Sequence, residues 1–234
     1  MNQTPLLARL KASLKASAGD VVFGMEDGTV SIFGLVFGVA ATTNDQSAVL
    51  IAGASGAVAA AVSMMAGTYL DAETSEDQAK VLDARIAAEL KSDSSAVVGR
   101  IAQRLQVAGL AREPAAIASN FLSSQPAILK SFAMALAHPA GGSKESALVR
   151  SLWMLVADFL AAAIPILPFA LLPVPQGRIV SAGITALLLI ALGIGRARIG
   201  GRSTLRTVIE TVAIGVAAAL AGVGIGVGIS RLAG

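Results

Sequence analysis

The sequence predicts an all-α membrane protein: five transmembrane helices with a small helical cytoplasmic insert between the second and the third. Three observations carry this reading. Hydrophobic residues make up 55% of the 234 and charged residues only 14%, whereas a soluble domain carries charge on about a quarter of its positions. Five apolar stretches, roughly 21–43, 47–70, 149–172, 179–195 and 208–230, each approach the ~20 residues that a helix needs to cross a bilayer. The lysines and arginines, finally, gather on one side of the segments so defined. The bulk of the apolar content is Ala, Leu, Val, Ile and Gly, with aromatics at 4%. Small residues suit helices that pack closely in lipid, where burial of apolar surface does not drive association.

The opening segment, 1–20, reads as a short basic amphipathic helix on the membrane surface rather than a signal peptide. Leu6, Leu7, Leu10 and Leu14 recur at helical spacing, with Arg9, Lys11 and Lys15 between them, the pattern of an interfacial helix. Residues 21–70 then hold spans one and two, joined by the polar turn "TNDQS". Residues 149–234 hold spans three to five, joined by "PVPQG" and by the basic segment "RARIGGRSTLR".

Five spans put the two ends of this sequence on opposite sides, and the basic residues set the direction. With a cytoplasmic N-terminus, the inner side collects Arg9, Lys11, Lys15, nine basic residues between 71 and 150, and Arg196, Arg198, Arg202 and Arg206. Arg178 and Arg231 remain outside. The pI near 9.6 is therefore a matter of topology, and no nucleic-acid partner is expected. The polar insert, 71–148, carries helix punctuation at "SDSS", at Pro114, at Pro126 and in the exit loop "HPAGGS", which contains the lone His138. Val97, Val98, Ile101 and Leu105 form one apolar face within three or four short helices.

The chemistry is confined to a few groups. The chain has no cysteine, which excludes thiolate metal sites and thiol catalysis. No nucleophile–base pair or nucleotide loop is present, so no enzymatic activity is expected. Ionisable residues inside spans cost about 2.5–3.5 kcal/mol each at mid-helix and point to function. Glu26, Asp27, Asp158 and Glu210 are in that position. Asp27 lies roughly 9 Å inside span one at 1.5 Å per residue, and Met64 in "SMM" of span two is expected at matching depth. Asp158 is near the midplane of span three, with Met154 one turn earlier on the same face. A hard oxygen beside a soft sulfur suits a borderline ion such as Fe²⁺ or Mn²⁺, and the carboxylate can also carry protons. Glu26 points about 100° from Asp27, toward a rim or a partner. Glu210 follows Arg206 by four residues, the spacing of a helical ion pair. Pro165 and Pro168 in "IPILPF" are expected to bend span three. Gly34 and Gly38, one turn apart, offer a close seam for a second copy of the chain.

"DGTVSIFGLVFGVA" and "AGASGAVAAAVSMMAGTYL" resemble the first two spans of the vacuolar iron transporter family, and "IPILPF" with the tail from "LGIGRAR" resembles its last three. The resemblance implies a homodimer of five-span subunits that exports Fe²⁺ or Mn²⁺ from the cytosol in exchange for protons. It also implies that Asp27 and Met64 line the route near the dimer axis. No cofactor beyond the transported ion and its counter-protons is implied, and the host is a plasma membrane or vacuole-type membrane. The chain departs from the family where a span-two glutamate gives way to Gly56, where Thr68 stands in "GTYL", and where Ala137 replaces an acid after Met134. Those departures keep two alternatives open: a scaffold or sensor that does not transport, and a transporter of another substrate. The topology is tested by labelling. Asn44→Cys should react with an impermeant thiol reagent from outside and Ser94→Cys should not; the reverse pattern would overturn the orientation.

Overall fold

The computed structural model describes residues 6–137 and 146–233. All regular structure among them is helical: α1 (Leu6–Ala16), α2 (Ala18–Thr42), α3 (Gln46–Ser92), α4 (Ser94–Val107), α5 (Arg112–Ser123), α6 (Pro126–Ala137), α7 (Ala147–Leu171), α8 (Val174–Gly200) and α9 (Thr204–Ala233). Five of these, α2, α3, α7, α8 and α9, are long and apolar enough to cross a membrane. The exit loop and His138 lie outside the described residues. The chain divides into two compact units, Met1–Leu70 with Lys144–Gly234, and Asp71–Ser143.

Helix boundaries depart from the sequence reading where local chemistry overrides hydropathy. The second apolar stretch does not stop near residue 70, because α3 continues to Ser92. No Gly or Pro follows Gly67 until beyond that point, and the intervening Ala, Leu, Glu and Lys are strong helix formers. The segment "PVPQG", expected as a turn, supplies the start of α8: Pro173 is the N-cap and a second proline occupies the first turn, where its missing N–H costs nothing. At the far end α8 extends to Gly200 and closes on Gly201, whose φ of +60° is the left-handed conformation that ends helices at glycine.

In the membrane-spanning unit, α2 is the central helix and uses glycine on two faces. A Cβ at Gly24 would lie 2.5 Å from Met154 Sδ, and one at Gly28 would meet the backbone of Asp158, so α7 rides on this pair. A Cβ at Gly34 would lie 2.8 Å from the Ala218 carbonyl oxygen and one at Gly38 2.7 Å from that of Gly222. The seam expected between two copies is thus occupied by α9 of the same chain. That correction follows from α9 itself, whose Gly222 and Gly226 face back onto Gly34 and Gly38. The first half of α3 packs on α2 as well, with Gly53 against Val36 and Gly56 against Leu35 and Ile32. Ile32, Val36, Ala40, Val49, Ala57, Ala162, Phe169 and Val174 form the buried core.

Polar contacts fasten the ends of this unit. Arg150 makes a two-pronged ion pair with Asp20 at 2.9 and 3.0 Å, and the Trp153 indole donates to Ser13 on α1 at 3.0 Å. At the other end the Arg178 guanidinium donates to the Ala40 carbonyl and, at 3.4 Å, to that of Thr43. A cation there satisfies orphan carbonyls and opposes the negative end of the α2 dipole. Helix α7 is continuous through Pro165 and Pro168, both buried. Neighbours donate to its carbonyls, Ser181 to Pro165 at 2.8 Å and Gln46 to Phe169 at 2.7 Å. On α1, Leu6, Leu7, Leu10 and Leu14 are all exposed.

In the second unit, Ile86, Val97, Ile101, Leu129 and Ala133 form a separate core, with Val98 and Leu105 packed against it. The apolar face read from the sequence is the face that is buried. Asp93 caps α4 by accepting from the Ser95 and Ala96 amides at 3.0 and 3.4 Å, and Pro126 opens α6. Arg100 holds Glu89 through both carboxylate oxygens and keeps that carboxyl below its ordinary range. The clamp is therefore present at neutral pH and is lost as acidification reaches the depressed folded-state value.

The glycine seams give a stability test. Gly34→Leu should lower the melting temperature of the detergent-solubilised protein by several degrees, on the scale of the ~1–3 kcal/mol of an overpacked core. Gly19→Ala, which meets nothing within 4 Å, should leave it unchanged.

Candidate functional site

The spanning unit brings its acidic side chains together through α2. Because residues 24 and 28 lie one turn apart, they present a single glycine strip, and α7 places Met154 and Asp158, also one turn apart, onto it. Met154 is buried at 2% exposure and Asp158 is completely buried. Asp158 Oδ1 would be 2.9 Å from a Cβ at Gly28, so any larger residue there would crowd the carboxylate. Neither carboxylate oxygen has a hydrogen-bond partner among the described residues. A charged group buried without a partner costs several kcal/mol. A proton or a metal cation bound there would offset that cost. Asp27 is half-buried and precedes Gly28, the residue on which Asp158 packs.

Glu26 is differently placed. Its carboxylate accepts from Arg196 Nη1 at 3.0 and 3.4 Å and from the Thr211 hydroxyl at 3.2 Å, which ties α2 to α8 and α9. Glu26 and Asp27 share a cleft of about 450 Å³ between these three helices, with Phe23, Arg196, Arg202 and Ile214 also on its wall. Glu210, on α9, takes Arg206 at 3.0 Å as its spacing predicted, and Arg202 at 3.4 Å as well. Met64 is half-buried on α3.

The fold thus joins Asp158 and Met154 on one strip of α2, places Asp27 beside Glu26 in the cleft, and pairs Glu26 with an arginine. Among the described residues no three His, Asp or Glu side chains converge as a metal cluster. Arg196 and Thr211 escaped the sequence reading because 170 and 185 residues separate them from Glu26. Arg196 carried a topological signal only.

Residues 18–227 match the sequence model of the VIT family. The chain belongs to the VIT family. Vacuolar iron transporter 1 of Arabidopsis thaliana is 28% identical over 211 residues, covering 85% of this chain and 80% of that protein. The vacuolar iron transporter of Centaurea cyanus is 26% identical over 204 residues, with 85% and 82% covered. Vacuolar iron transporter 2 of Oryza sativa subsp. japonica is also 26% identical over 204 residues. The match takes in the strip of α2 with Asp27, the Met154–Asp158 face of α7 and the Glu26–Arg196 pair of this VIT family chain.

If Asp158 has no protein partner, removing its charge relieves a cost. Asp158→Asn should raise the melting temperature of metal-free protein or leave it unchanged. A fall of several degrees would show instead that the carboxylate is held by a structural bond.

Proposed function

We propose that this chain carries divalent iron or manganese ions out of the cytosol in exchange for protons, across a plasma membrane or vacuole-type membrane. The observation that carries the reading is Asp158: wholly buried, without a hydrogen-bond partner among the described residues, and packed on Gly28, the residue after Asp27, in a VIT family chain. A bare divalent ion cannot enter hydrocarbon, and carboxylates at depth offset part of its desolvation. Thioethers from Met64 and Met154 favour borderline ions over Mg²⁺ or Ca²⁺, which prefer oxygen throughout. A carboxylate that gives up the metal and takes a proton links the two fluxes.

The N-terminus and the 71–148 insert face the cytosol in this reading, because the basic residues concentrate there, and the C-terminal end of α9 faces the opposite side. The working unit is a homodimer that pairs through a face other than Gly34 and Gly38, which α9 covers.

Flux into reconstituted vesicles, with Fe²⁺, Mn²⁺, Co²⁺ and Zn²⁺ supplied in turn and a trapped pH probe, tests the proposal. Fe²⁺ or Mn²⁺ should move with a counterflow of protons. Asp27→Asn should abolish metal-driven proton movement in a folded protein, and Met64→Leu should change ion preference more than maximal flux. Failure of all four ions to move would refute metal transport, and wild-type flux in the Asn variant would remove Asp27 from the route.

A further inference from the structure

The Glu26–Arg196 pair sits inside the cleft that Asp27 lines, and the transport reading above leaves it without a role. Its geometry is not that of an exposed surface pair. The Glu26 side chain is 12% exposed and Arg196 37%, and Thr211 adds a third hydrogen bond at 3.2 Å. The second arginine on the wall, Arg202, is already engaged by Glu210, and Arg196 is the cation paired with Glu26, next in sequence to Asp27.

We propose that Arg196 is a tethered competitor for the transported ion, and that it sets the affinity and charge selectivity of the cleft. Glu26 and Asp27 together carry two negative charges, and Arg196 cancels one. A divalent ion that displaces the guanidinium from Glu26 gains both carboxylates and leaves the pair neutral. A monovalent ion brings no more charge than the arginine it would replace, and the arginine is held in place by the chain, so Na⁺ or K⁺ does not compete. When the ion leaves, Arg196 returns to Glu26, which speeds release and keeps the empty cleft from retaining metal. The other charged groups on the cleft wall are Asp27 on α2 and Arg202 just after α8, the latter paired with Glu210 of α9. This inference rests on the reading of the cleft as part of a divalent-metal route.

Mn²⁺ binding to the full-length protein in detergent, followed by the loss of the free-ion spin-resonance signal, tests it without transport; vesicle flux provides a second readout. Arg196→Gln should bind Mn²⁺ at least threefold more tightly, lower the KM for flux by a similar factor, and become inhibited by excess Na⁺. Arg196→Lys should restore the wild-type values. Glu26→Gln should weaken binding by freeing Arg196 to turn on Asp27, and it should cancel the gain when combined with Arg196→Gln. Unchanged or weaker binding by a folded Arg196→Gln protein would overturn the proposal, as would a Lys variant that behaves like Gln. Should Arg196→Gln not fold, unaltered Mn²⁺ binding by Glu26→Gln overturns it equally. Wild-type protein that binds Mn²⁺ but moves no metal refutes the transport reading alone, and the binding comparison still decides the role of Arg196.

Discussion

Everything in the spanning unit depends on how closely the backbone of α2 can approach two other helices at once. In hydrocarbon there is no water to expel, so association rests on dispersion contacts between atoms brought near one another. Two glycine pairs on different faces of α2 supply that approach, one to α7 and one to α9. The chemistry follows from the packing: the first contact delivers Met154 and Asp158 to α2, and the second brings Thr211 within reach of Glu26. The glycines belong to the site as much as the carboxylates do.

Against this tight frame the treatment of charge is selective. Asp20 has Arg150, Glu26 has Arg196, Glu210 has Arg202 and Arg206, and Arg178 closes the carbonyl end of α2. Each pairing lowers the cost of a charged group near or within the apolar body. Asp158 departs from that pattern: it is buried at depth and has no hydrogen-bond donor among the described residues. The contrast within one molecule separates carboxylates that have an arginine partner from one that has none among the described residues.

The sequence was informative wherever local pattern decides structure. Hydropathy located all five long helices, the stripe from Val97 to Leu105 named a buried face, and four-residue spacing found the Arg206–Glu210 pair. It was misleading where one pattern serves two partners: a Gly-x-x-x-Gly strip shows that a helix will come close, and nothing in the strip distinguishes α9 of the same chain from a second copy. It was silent on pairings between distant positions, such as Asp20 with Arg150 and Glu26 with Arg196, because only the assembled bundle brings those residues together. Asp27 and Asp158 were conspicuous one at a time, as acids in apolar runs. The packing of Asp158 on Gly28, the residue after Asp27, was not, since it depends on which face of α2 the third span chooses.

The double glycine strip also has a consequence for how the protein is made. Position 34 finds its partner at position 218, and at 5–20 residues per second the ribosome needs roughly 10 to 40 seconds to cover that distance. Through that interval the newborn first hairpin has a smooth glycine groove open to lipid and a glutamate without its arginine. Biosynthesis of this chain therefore includes a long exposed stage, in which the insertion machinery or the surrounding lipid has to shelter a helix whose own companions have not yet been translated.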